Sequence, residues 1–292
     1  MTLDQINSQN ELLSIMNNWP LEATLPKKAE LEALAETQAP GTEIYLSTLP
    51  HASHDEQIEA ARLVRSNGLE PVLHVAARYY KNKSDISAYI SRAVTEAKVD
   101  RLLLIAGDIV PARGDFFSSI DILENINLAE LGINRIGIAG YPDGHPTISD
   151  DVLAEALEKK LILATDIGIE VQLVTQFCFD AWPIRSWLAE IRQTWPEILI
   201  KIGLAGPTSS ISLFKYALSC GVKAPRGGFA AKLGMAKNLV RTISPENILR
   251  EIGDSPNLSP HFFSFGGLEK TANWARQLKL NSSNKSLIEP VK

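Results

Sequence analysis

Short, strongly apolar runs alternate along this chain with longer stretches in which apolar residues recur every three or four positions. Runs of the first kind read as strands buried on both faces, and stretches of the second kind as amphipathic helices. Eight strands are predicted, at 21–25, 43–48, 71–75, 101–107, 135–140, 171–179, 198–204 and 261–265. Between them, HDEQIEAARLVRSNG (54–68), SDISAYISRAVTEAK (84–98) and ISDDVLAEALEKKLILATDIG (148–168) carry the helical spacing. Ser53 or His54, and Ser149 or Asp150, stand where N-caps belong, and Gly68, Gly168, Gly221 and Gly253 follow helical stretches as C-terminal glycines do.

Strict alternation of strand and helix implies a parallel sheet with crossover helices. Eight such units predict an α/β fold of the (β/α)8 TIM-barrel type, a single domain over 20–280. A helical extension over 1–19, with its helix at about 2–18, precedes it, and a polar tail at 281–292 follows. An open doubly wound sheet would alternate in the same way, but it needs a glycine fingerprint after its first strand, and LEATLPKKAE contains no glycine.

Composition narrows the partners. A formal net charge of −5 disfavours nucleic acid and anionic membrane, which leaves small molecules. The two cysteines, Cys178 and Cys220, lie outside any metal-ligand or redox spacing and read as buried thiols. The N-terminus has no basic segment leading into an apolar core, and no run approaches the roughly 18 apolar residues of a membrane span. A cytoplasmic protein is expected. Trp19, Trp182, Trp187 and Trp195 are expected on the barrel exterior or at a subunit contact, which would admit a homo-oligomer.

Polar residues within or just after apolar strands matter more, because barrel strands deliver their carboxyl ends to the ligand site. Glu22 lies inside the first strand, Ser47 and Thr48 end the second, His74 sits in the third, and Asp108 follows the fourth. Tyr141, Asp143 and His145 follow the fifth, and Gln176 lies near the end of the sixth. A carboxylate flanked by Leu21 and Ala23 must be paired, solvated by a cavity or held protonated, and a protonated carboxyl is a natural general acid.

Four strand-end segments, LHVAAR (73–78), LLLIAGD (102–108), GIAGYPDGHP (137–146) and VTQFCFD (174–180), resemble the catalytic domain of methylenetetrahydrofolate reductases, colinearly over about 21–270. YPDGHP is similar to that family's YPE-x-HP turn, and VTQFCFD to its ITQFFFD. The resemblance implies a barrel that binds FAD noncovalently, with a tetrahydrofolate derivative and NADH or NADPH using the flavin in turn. It places the general acid on Glu22, the flavin-tuning aspartate on Asp108 and the folate-contacting glutamine on Gln176. Flavin contacts fall on Ser47, His74, Gly107, Tyr141 and His145.

Departures are as informative. The arginine common before the family's GD is Ala106, and FFPP after the glutamate is reduced to ATLP. The lysine usual on the helix before the ITQ strand has only Lys159 and Lys160 near its place. Where the family has a tyrosine and an arginine at the last strand, SFGGLEK puts Gly266 and Lys270, so the nicotinamide and folate contacts have changed. That change predicts weak use of NADH or NADPH and specialisation toward oxidising 5-methyltetrahydrofolate.

Two other readings compete. A pterin-binding barrel methyltransferase would bind folate but would not be yellow; a noncatalytic flavin- or folate-binding subunit would explain the altered last strand, but not the retention of Glu22, Asp108 and Gln176. The His-x-x-His of HASH (51–54) lacks a third ligand, so no metal is expected there, and GGFAAKLG (227–234) lacks phosphate-loop spacing.

Overall fold

The computed structural model describes residues 15–16, 19–222, 228, 242–253 and 255–287. Most of the N-terminal helix expected at 2–18, and nearly all of GGFAAKLG, lie outside these residues. The strands are β1 (Leu21–Ala23), β2 (Glu43–Leu46), β3 (Glu70–Ala76), β4 (Arg101–Ile105), β5 (Arg135–Gly140), β6 (Glu170–Thr175), β7 (Leu199–Ala205), β8 (Thr208–Ser209), β9 (Thr242–Ile243) and β10 (Leu258–Phe263). Eight of them close into a barrel in the order β1-β10-β7-β6-β5-β4-β3-β2, and β8 and β9 form a separate two-stranded antiparallel pair. The fold is a (β/α)8 TIM barrel, and each of the eight expected strands overlaps one barrel strand.

The helices are α1 (Lys28–Ala35), α2 (His54–Ser66), α3 (Lys83–Ala97), α4 (Ser119–Asn125), α5 (Asp150–Asp166), α6 (Ala181–Thr194), α7 (Ser210–Ser219), α8 (Glu246–Ile252) and α9 (Leu268–Leu287). Their starts follow local chemistry. Ser53 caps α2 reciprocally with Glu56: the Glu56 N–H donates to Ser53 Oγ at 3.2 Å while Ser53 N–H donates to the Glu56 carboxylate at 2.8 Å. Ser149 is the N-cap of α5, and Gly68 and Gly168, just past α2 and α5, take the left-handed backbone at φ +74° and +71°. Helix α9 continues to Leu287, so much of the segment read as a polar tail from 281 is helical. Among the described residues no helix is long and apolar enough to cross a membrane.

By density of internal packing the chain divides into two compact units, Glu22–Gly140 with Ser149–Val174, and Met1–Leu21 with Tyr141–Ile148 and Thr175–Lys292. In the first, β2, β3, β4 and β5 pair in parallel, with Tyr45 opposite Val72, His74 opposite Leu103 and Arg101 opposite Arg135. Tyr45 is fully buried against Val72, Leu103 and Val174, and its hydroxyl accepts from Gln172 Nε2 at 2.8 Å. Beyond this apolar layer, Glu43 takes Arg101 at 2.8 Å and Arg135 at 3.4 Å, and Arg135 reaches Glu170 at 2.7 Å.

In the second unit, β7 pairs with β10 and sets Gly203 opposite His261. The Gly203 N–H donates to Thr175 Oγ1 at 2.8 Å, and its carbonyl accepts from Cys178 N–H at 3.0 Å. Phe177, Phe179 and Phe263 pack with Leu213 and Ala217 into an aromatic cluster flanked by Phe265. That cluster explains where β6 stops: the sequence reads as strand to residue 179, but Phe177 and Phe179 leave the ladder to pack on one another, with rings 5.6 Å apart.

Candidate active site

In the first unit, the short β1 carries Glu22 at its centre, and Ser47 follows directly on β2. Ser47 N–H donates to the Ala23 carbonyl at 3.0 Å, which holds the two segments side by side. Ser47 Oγ then donates to Glu22 Oε1 at 2.8 Å. On the other carboxylate oxygen, His74 Nε2 stands 3.8 Å from Oε2, with the two side chains only 8% and 13% exposed. Thr48 Oγ1 donates to the His74 carbonyl at 2.7 Å and accepts from Gln57 Nε2 at 3.1 Å, so α2 helps fix the backbone that carries the imidazole. The His74 ring meets Tyr45 edge-on at 6.2 Å. Carboxyl, hydroxyl and imidazole thus form one cluster from three successive strands. A carboxyl in such a setting can give and take a proton while little of it meets bulk water.

Next along the sheet, β4 runs into Gly107 and Asp108. Gly107 has φ +86°, and a Cβ there would lie 3.0 Å from the Tyr79 ring and 3.2 Å from the Ala76 methyl, so both backbone and space require glycine. Asp108 is exposed, and its Oδ1 accepts from the hydroxyl of Tyr79, which is 8% exposed. Burial, followed by the Asp108 carboxylate, pushes the Tyr79 phenol far above its ordinary pKa.

The remaining candidates belong to the other unit. Tyr141 and His145 meet edge-on with ring centres 5.6 Å apart, and burial raises the phenol and lowers the imidazole. Asp143, between them, accepts from the Phe179 N–H at 3.3 Å. Gln176 is tied at both ends of its amide: Oε1 accepts from Phe177 N–H at 3.0 Å and Nε2 donates to the Cys220 carbonyl at 3.3 Å. Lys270 is exposed on the first turn of α9. Gly266 is fixed by its surroundings, because a Cβ there would lie 2.1 Å from the Pro207 carbonyl oxygen. A larger residue at this position needs a different backbone path.

Within the first unit, Ser47 and His74 each stand against the Glu22 carboxylate, and Gly107 and Asp108 both meet Tyr79. Tyr79 is the residue that sequence reading missed. Its one signal is its place five residues after His74, on the 3-10 turn Ala77–Tyr79 that ends β3. Lys160 also gains meaning: it lies on the buried stripe of α5, and burial lowers its amine to a pKa of about 8. It has no hydrogen-bond or ion-pair partner among the described residues.

No protein-family model matches the chain. The barrel is a fold that enzymes commonly use, with active sites built at the carboxyl ends of the strands. Residue chemistry also bears on a flavin ring, whose edge presents one N–H and two carbonyls and so calls for acceptors and donors together. The exposed Asp108 carboxylate could supply the acceptor, and, with the Ser47 hydroxyl hydrogen given to Glu22, the His74 imidazole is the donor-capable group nearby, so the residues present are compatible with the ring. The arginines nearby are otherwise employed: Arg78 Nε donates to the Phe117 carbonyl at 2.9 Å, and Arg113 binds the carbonyls of Tyr79 and Pro50.

Proposed function

We propose that this protein is an FAD-dependent oxidoreductase that interconverts 5,10-methylenetetrahydrofolate and 5-methyltetrahydrofolate, with NADH or NADPH as a secondary electron partner. The observation that carries the reading is the Glu22 carboxyl, nearly buried and held between Ser47 and His74, on the strand where the family resemblance expects a general acid.

Bound FAD supplies the two-electron hydride chemistry. The chain's own residues handle the proton. Because Ser47 donates to Oε1, a proton carried by Glu22 resides on Oε2, the oxygen that faces His74 at 3.8 Å. From there it is delivered to N10 of the folate as the five-membered ring opens, and recovered when the ring closes. Asp108 would hold a negative charge at the flavin, and the family resemblance assigns the folate contact to Gln176, whose amide now donates to the Cys220 carbonyl. The resemblance further assigns flavin contacts to Tyr141 and His145, which pair edge-on, and a folate or nucleotide contact to Lys270, a point charge in place of an arginine.

The test is spectroscopic. Protein reconstituted with FAD should show a flavin spectrum, release unmodified FAD on denaturation, and bleach when 5-methyltetrahydrofolate is added without oxygen. Absence of flavin uptake refutes the reading and favours a pterin-binding methyltransferase; uptake without bleaching removes the folate half of it.

A further inference from the structure

The segments that follow β3 and β4 are sewn together far more thoroughly than two surface loops require. Arg78 N–H donates to the Ala106 carbonyl at 2.9 Å, and Arg113 N–H donates to the Arg78 carbonyl at 2.9 Å. The Arg113 guanidinium donates to the Tyr79 carbonyl at 3.3 Å, binds the Pro50 carbonyl, and sits 5.7 Å from the centre of the Tyr79 ring. Beside the same ring lies Gly107, where even a Cβ would come within 3.0 Å of it. The Tyr79 ring is therefore flanked by a glycine backbone and a guanidinium, which restrict where its hydroxyl can point. There it meets Asp108 Oδ1.

We propose that Tyr79 is the positioning residue for Asp108: its confined hydroxyl binds Oδ1, fixes the carboxylate rotamer and leaves Oδ2 as the oxygen offered to the flavin. This rests on the flavin reading given above. An exposed aspartate is ordinarily free to rotate and is screened by water, so its charge at any one point is an average. Anchoring by a buried donor converts it into a fixed charge, and fixed charges are what tune a bound cofactor. A negative charge held at the ring opposes the gain of electrons, so its release makes reduction easier. A hydrogen bond to a charged group of this kind is worth roughly tenfold in an equilibrium.

The experiment compares FAD-loaded wild type, Tyr79→Phe, Asp108→Asn and the double variant by anaerobic dye-coupled redox titration, with visible spectra recorded alongside. Tyr79→Phe should shift the flavin reduction equilibrium toward the reduced form by about tenfold, in the same direction as Asp108→Asn and by less. In the Asp108→Asn background the Tyr79→Phe step should have no further effect, because no charge remains to be held. If the wild type takes up FAD and Asp108→Asn moves the equilibrium while Tyr79→Phe leaves it unchanged, Tyr79 is only a structural ring and the positioning role is overturned. An additive double variant overturns it as well. If the wild type takes up no FAD, the flavin reading fails, and this inference falls with it.

Discussion

Gly203 offers a severe test of how β7 is seated, through the substitution Gly203→Ala. A Cβ at this position would lie 2.4 Å from the Thr175 carbonyl oxygen and 2.8 Å from that of Gln176. The nearer approach is roughly 1 Å inside ordinary van der Waals contact. Both opposing atoms are backbone, so no side chain can turn away. Relief requires the segment after β6 to separate from β7, which stretches the bond from Gly203 N–H to Thr175 Oγ1 at 2.8 Å and that from Cys178 N–H to the Gly203 carbonyl at 3.0 Å. Overpacking of a tight site costs about 1–3 kcal/mol, and two weakened hydrogen bonds add about 0.5–1.5 kcal/mol each. A loss of about 3 kcal/mol is expected, or roughly 6–12 °C in the midpoint of thermal unfolding for a chain of this size. Differential scanning calorimetry measures it directly. Thr175→Val serves as the control: it removes the acceptor without adding volume and should cost about 1–3 kcal/mol by stranding the Gly203 N–H. A Gly203→Ala midpoint within about 2 °C of wild type would show that this approach is looser than described, and that Gln176 is not rigidly placed by it.

Glu22→Gln should keep the bond from Ser47, since the amide oxygen accepts as the carboxylate does, and so leave folding and FAD uptake nearly unchanged; the folate half-reaction in stopped flow should slow by about 10²–10⁴-fold, and an unchanged rate would remove Glu22 as the acid. Lys160 titrates at about 8 in the folded protein against an ordinary 10.5, so below about pH 8 a buried charged amine weakens the fold in full, and stability recovers as pH rises from there toward 10.5. Lys160→Met should therefore stabilise the protein at pH 7 by about 3 kcal/mol in urea unfolding, with the advantage shrinking by pH 10; no gain at pH 7 refutes the burial argument. With glycine at 266 and the point charge of Lys270 where the resembled family has a tyrosine and an arginine, the nucleotide half-reaction of the proposed function should be slow: 5-methyltetrahydrofolate should reduce the flavin readily and micromolar NADH or NADPH poorly, and the reverse order in anaerobic stopped flow would sink the specialisation.

The barrel was legible because its strands are buried on both faces. Continuous apolar runs such as LLLI at 102–105 have no other comfortable home, and the glycines after the helices fixed where each unit ended. Strand ends were less legible, since apolar character continues past the ladder. Phe177 and Phe179 look like strand residues and instead build a cluster with Phe263. The β8–β9 pair was invisible, because two-residue strands more than thirty positions apart carry no periodicity. Glu22, Ser47 and His74 could be nominated from their places near strand ends, and a carboxylate inside an apolar run announces a need for partners. Which partners it finds depends on register. Tyr79 had only its place shortly after His74 to mark it, and an aromatic residue in a turn reads as packing until the course of the next loop brings Asp108 to its hydroxyl.

The layer around Tyr45 has a bearing on proton traffic. Tyr45 and Gln172 are 0% and 1% exposed, are joined at 2.8 Å, and sit among Val72, Leu103 and Val174, with the Tyr45 ring edge-on to His74. Apart from that one buried pair the layer is apolar, so it offers water no continuous file of hydrogen-bonding stations to His74 from this side. Under the proposed chemistry, a proton that Glu22 surrenders would therefore leave and return on the side away from this layer.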